Sequence, residues 1–248
     1  MGISTFDHVV RLLSIVFAVA VIVRIVQQRL FAPPLPSFAC MLGIVLLRDL
    51  IVSVPSYDSH AYAVAWEATL PALLIAQIWA GLDTLRAVAC VYPKFGKFAL
   101  KLFLTCLAIT IGACCLSLPF ELRRLISGET LLRSWFLLQR SVDGWISGTL
   151  ILVAIFLARF PAPAKQPPRN LVLHTLLLSL YFSGYSVLFM AENLAPLGGV
   201  VLMERAAFVL IVALYAAWAV CLSKEGERHE PWPQIDVIVL KSVGSTAS

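Results

Sequence analysis

The sequence predicts an all-α polytopic membrane bundle of seven transmembrane helices, with the N-terminus outside and the C-terminus cytoplasmic. Three observations lead there. The 248-residue chain is 60% hydrophobic and only 13% charged, whereas a soluble domain carries about 25% charged residues. Seven apolar runs approach the ~20 residues that a bilayer-spanning helix needs. The basic residues gather at the ends of those runs in an alternating pattern, which is how membrane topology is written in sequence.

The runs fall at about 9–28, 37–55, 66–90, 98–118, 135–158, 171–190 and 203–222. They divide the chain into a seven-helix transmembrane domain, 1–222, and a short, poorly ordered cytoplasmic tail, 223–248. The first run lacks a basic segment ahead of it and a small-residue cleavage site after it, so it is expected to stay in the mature protein. Two connections are proline-rich, "LFAPPLPS" (30–37) and "FPAPAKQPPRN" (160–170). Such composition favours extended, semi-rigid backbone. In the tail, "IDVIVL" (235–240) reads as a short strand-like run.

Orientation follows from charge. Connections one, three and five and the tail hold Arg29, Lys94, Lys97, Arg159, Lys165, Arg169, Lys224, Arg228 and Lys241. The other side holds Arg11, Arg123, Arg124, Arg133 and Arg205, diluted by Asp7, Asp58, Glu67, Glu121, Glu129, Glu192 and Glu204. The more basic set belongs in the cytoplasm. The net charge of +5 is thus spent on topology and not on one basic face, so no nucleic-acid partner is expected. The expected surroundings are the lipid bilayer of a plasma or cytoplasmic membrane.

"GIVLLRDLIVSV" (43–54) places Arg48 and Asp49 inside the second span. A charge near a helix centre costs about 2.5–3.5 kcal/mol on the insertion scale, so the two together about cancel what the apolar residues of that span return. Sequence neighbours point about 100° apart on a helix, so partners are sought on other helices. Arg140 and Asp143 share a face of the fifth span, and Asp83 and Arg86 share one of the third. Depth along each span suggests that Arg48 meets Asp143 and Asp49 approaches Arg140 in the outer half. Asp83 and Arg86 are then a second pair. Gly144 and Gly148 form a G-x-x-x-G that would let a neighbouring helix come close, with Ser147 on a nearby face.

No catalytic motif is found, and no cofactor or metal site is expected. The six cysteines show no C-x-x-C spacing. His174 is the only histidine in a span, so a bis-histidine haem site lacks its second ligand. The last span holds no lysine for a retinal Schiff base. Ionisable groups inside membranes often mark ligand or ion sites. The pattern therefore fits a module that binds or senses a small molecule at the Arg48, Asp49, Arg140 and Asp143 layer, and that addresses a membrane or cytoplasmic partner protein. A small solute transporter built as three, one and three helices is the first alternative; it rests on the echo between "RLFAPP" (29–34) and "RFPAP" (159–163). A membrane assembly subunit is the second.

Overall fold

The computed structural model describes residues 5–53, 60–126, 132–159, 167–194 and 197–227. They form seven α-helices: α1 (Thr5–Gln27), α2 (Leu35–Ser53), α3 (His60–Val91), α4 (Pro93–Ile126), α5 (Leu132–Arg159), α6 (Arg169–Leu194) and α7 (Leu197–Cys221). A short 3-10 turn, Glu225–Glu227, follows. No strand occurs among the described residues. The run 235–240 and the segment 160–163, with the repeat echo it carries, lie outside them.

Each helix packs on its chain neighbours, and α7 returns to close on α1. The result is a ring, with α3 leaning through it to touch α5 and α6. We call the end where α1 finishes and α2 begins the lower end, and the opposite end the upper.

Large apolar side chains cover the outside of the bundle as well as filling its core. Val220 is 75% exposed, Ile75 68%, Leu50 65% and Ile109 65%. Meanwhile Gln77, Thr84, Gln139, Asp143, Ser147 and His174 are buried. Water would oppose this arrangement on both counts, whereas lipid accepts the apolar outside and drives polar groups inward. Four helices are long and apolar enough to cross a membrane: Val9–Gln27, Leu35–Ser53, Val64–Val91 and Pro93–Ala113. Residues Ser141–Leu157 and Arg205–Cys221 are shorter apolar stretches.

The lower end is built by local capping. Arg29 adopts φ 52°, the left-handed conformation that ends many helices. The Leu30 N–H then donates to Ile25 O at 2.9 Å, and the Arg29 N–H to Val26 O at 3.1 Å. Leu30 and Ile25, both buried, supply the apolar contact that accompanies this cap. The proline-rich 30–37 segment is only partly extended, because α2 already begins at Leu35. A proline in the first turn costs nothing there, since that N–H has no helical partner. Pro93 opens α4 for the same reason.

Helix α7 finishes against three partners. Arg24 Nε donates to Leu222 O at 2.9 Å, placing a cation at a helix C-terminus. Asn170 Nδ2 donates to Ser223 O at 2.7 Å. The Ala32 N–H faces the Glu227 carboxylate, whose burial holds it above the usual carboxylate range despite Ala32 and Lys224. The chain from Ser223 to Glu227 is therefore seated on α6 and the first connection, and residues 228–248 lie outside the described ones.

Glycine matters at different positions from those the G-x-x-x-G suggested. A Cβ on Gly144 or Gly148 would meet nothing within 4 Å, so neither lets a helix approach. Gly96 does: its Cβ would lie 2.6 Å from Ala89 N, with the Ala89 Cα closer still. That contact lets α4 fold back tightly on α3 across Tyr92. A Cβ on Gly81 would meet Ile146 of α5 at 3.4 Å, an ordinary van der Waals contact. Gly96→Ala should lower stability in detergent by about 1–3 kcal/mol, the usual cost of overpacking. Gly148→Ala should be neutral or gain up to about 1 kcal/mol from helix propensity. Denaturant unfolding of the two variants checks both.

Candidate functional site

The charged residues of α2 find partners on the helices beside it in the chain. The Arg48 guanidinium stacks over the Trp66 ring of α3, 4.2 Å from its centroid. Arg11 of α1 donates from Nη2 to the Asp49 carbonyl oxygen at 3.0 Å. The cations that act on Asp49 are Arg11 and Arg48. Cation–aromatic stacking contributes about 0.5–2 kcal/mol, more as it is desolvated.

This corrects the expected pairing. Among the described residues the α2 and α5 backbones do not touch, whereas α3 touches both. Asp143 is fully buried, and both its carboxylate oxygens lack a hydrogen-bond partner. It is therefore not bonded to Arg48. Arg140 belongs to α5 by its backbone; its side chain lies outside the described residues, so the Asp49–Arg140 approach does too. The Asp83–Arg86 pair also fails to form. Asp83 Oδ2 instead accepts from Ser37 Oγ at 2.8 Å, tying α3 to α2, and Arg86 is exposed. A short hydroxyl donor on the neighbouring helix satisfies the carboxylate without the rotamer entropy that a long Arg would lose.

Arg48 and Asp49 do line a cavity of about 80 Å³. Six helices contribute to it: Ser14 from α1, Arg48 and Asp49 from α2, Gln77 from α3, Gln139 from α5, Tyr181 from α6 and Tyr215 from α7. Gln77 and Gln139 are 2% and 3% exposed, and the Oε1 atom of each has no hydrogen-bond partner. A buried polar atom left in this state costs about 1–3 kcal/mol. The cavity thus offers a planar cation, a carboxylate and two uncommitted carbonyl acceptors.

The α5 side of the site is held by hydroxyls. Ser183 Oγ donates to Ser179 O at 2.6 Å, so its single proton is committed. Ser147 Oγ must then donate to Ser183 Oγ across 2.7 Å. This link joins α5 to α6, the most extensive helix pair. On the other flank Trp145 Nε1 donates to Thr110 Oγ1 of α4 at 2.9 Å.

Beneath the cavity lies an aromatic layer. Trp218 stacks 4.5 Å from Phe38 and 6.2 Å from Tyr215. His174, fully buried, meets the Phe38 edge at 4.8 Å. Thr84 Oγ1 donates to Ala80 O, so the contact at 3.3 Å has His174 Nε2–H donating to Thr84. This fixes the tautomer and makes His174 a structural link between α6 and α3.

Sequence reasoning found Arg48 and Asp49 but missed Arg11, Trp66, Gln77 and Gln139. A signal existed for Arg11, Trp66 and Gln139. Arg11 and Asp49 lie at similar distances from the α1–α2 connection, and Arg48 and Trp66 at similar distances from the α2–α3 connection. Gln139, Asp143 and Ser147 make a polar stripe at four-residue spacing on α5. No protein-family model matches the chain, and neither a curated protein nor a solved structure is significantly similar to it.

A double-mutant cycle checks the partner assignment. Arg48→Gln combined with Trp66→Leu should show a coupling of about 0.5–2 kcal/mol. Arg48→Gln combined with Asp143→Asn should be additive to within about 0.5 kcal/mol.

Proposed function

We propose that this chain is a multi-pass integral membrane protein that crosses the bilayer seven times. Its N-terminus is outside, and it binds or senses a small polar molecule in the cavity beside Arg48 and Asp49. Several observations support the span count. The seven helices have 19 to 34 residues, and the shortest is about 28 Å long at 1.5 Å per residue. They form one closed ring in chain order. A ring of this kind has all its helices side by side, so a bilayer that holds four of them surrounds the others.

The orientation rests on the charge of the two ends. Arg24, Arg29, Lys94, Lys97, Arg159, Arg169 and Lys224 all lie at the lower helix ends. By the positive-inside rule that end is cytoplasmic. The cavity is then in the outer half of the membrane.

The observation that carries the ligand reading is the pair of unpartnered amide oxygens, Gln77 Oε1 and Gln139 Oε1, beside Arg48 and Asp49. Such groups stay costly until something donates to them. A small molecule with an ammonium or amide donor at one end would satisfy the two acceptors, and an anionic group at its other end would lie beside the Arg48 cation. A pure assembly subunit would need no cavity beside its charges. Signal would leave through the lower end, where the seated Ser223–Glu227 segment joins α6 to the first connection.

Access and polarity can be read together. In a cysteine-free background, Gln139→Cys should react with a membrane-impermeant thiol reagent added outside intact cells, and an excess of a bound zwitterion should slow it. Lys97→Cys should react only after permeabilisation. A reversed pattern would invert the orientation. Equal labelling of Gln139→Cys with and without every member of a panel of small zwitterions would remove the ligand reading.

A further inference from the structure

Asp143 sits one helical turn below Gln139 on α5, on the same face. Its depth relative to α3 is fixed by the contact between Gly81 and Ile146. Helices α3 and α5 both run from the upper to the lower end, so Gln77, one turn above Gly81, is level with Val142 and Asp143. Three buried polar side chains thus lie within about one helical turn of depth, Gln77 on α3 and Gln139 and Asp143 on α5. Their exposures are 2%, 3% and 0%. Four of their oxygens, Gln77 Oε1, Gln139 Oε1 and both Asp143 oxygens, have no hydrogen-bond partner. One turn further down, Ser147 is already committed to Ser183 and closes the layer from below.

We propose that Asp143, Gln139 and Gln77 form a binding site for a monovalent alkali cation beneath the cavity. The donor set is all oxygen, which suits a hard cation. Asp143 is the one carboxylate among the three side chains. A monovalent ion neutralises it, whereas a divalent ion would leave one charge uncompensated in a poorly solvated interior. The ion reaches the site through the cavity, whose wall already contains Gln77 and Gln139. A bound ion also gives α3 and α5 a shared ligand at the layer where the two helices approach each other. This goes beyond the ligand of the cavity, because it uses Asp143, which does not line that cavity.

Thermal unfolding of the full chain in detergent, followed by tryptophan fluorescence, tests it. Sodium chloride is compared with choline chloride at equal ionic strength. The midpoint should be higher in sodium by about 3–6 °C at about 150 mM, and should rise with the logarithm of sodium concentration. Asp143→Asn should abolish the difference. Gln77→Leu and Gln139→Leu should each shift the response to at least about tenfold higher sodium, and they carry the test if the Asn variant does not fold. Arg48→Gln, which disables the cavity's anion partner, should keep the sodium response, so failure of the ligand reading is distinguishable from failure of this one. Identical midpoints in the two salts, or a sodium response that survives Asp143→Asn, would overturn the proposal. Loss of the response in Arg48→Gln would overturn it as well.

Discussion

The approach of α3 to α5 at Gly81, where an added Cβ would meet Ile146 Cγ2 at 3.4 Å, governs the interior. A side chain longer than alanine at position 81 would press on Ile146, at the place where α3 leans across the ring to reach α5 and α6. With α3 in that place, the α2 and α5 backbones do not touch among the described residues, and the charges of α2 are not bonded to Asp143. They turn instead to α1 and to the near side of α3, where Arg11 and Trp66 receive them. Asp143 is left on the far side with its oxygens uncommitted. The cavity is the space that remains above the crossing, between six helices that cannot all converge on one point.

The apolar exterior explains why interhelical polar contacts matter in such a fold. In lipid no hydrophobic force draws apolar helices together, so small residues and interhelical hydrogen bonds decide which faces meet. The Ser147–Ser183 and Ser37–Asp83 bonds do this work on opposite sides of α3. The aromatic layer of Phe38, Tyr215 and Trp218 fills the lower half with large rings, which leaves the polar space in the upper part. The cavity beside Arg48 and Asp49 and the unpartnered Asp143 oxygens both lie above this aromatic layer. The basic residues at the lower end set the direction from which such a pocket would be reached.

The helical class was legible because composition and run length report on the solvent of the surface directly. Sixty per cent hydrophobic residues cannot be hidden in a soluble globule of this size. Helix boundaries were legible to within a few residues for α2, where Arg48 and Asp49 sit well inside the helix. Tertiary pairing was not. Matching Arg48 to Asp143 by sign and depth assumed that any two helices are neighbours, while chain order strongly favours adjacent ones. Applied to α1 and α2, the same depth argument would have brought Arg11 to Asp49. The G-x-x-x-G of Gly144 and Gly148 misled because spacing says that a face is flat and not that a helix lies on it. The uncharged Gln77 and Gln139 were passed over in favour of charges, though a buried amide makes nearly the same demand for partners.

Helix order around α3 is the claim on which the rest stands, and cysteine cross-linking measures it most directly. In a cysteine-free background with a protease site within residues 127–131, Gly81→Cys and Ile146→Cys are combined, and so are Arg48→Cys and Asp143→Cys. The Gly81–Ile146 geometry is within disulfide reach. Oxidation should therefore hold the first pair's fragments together after cleavage and leave the second pair's fragments separate. Fragments of the second pair that stay joined, with those of the first pair released, would contradict the arrangement.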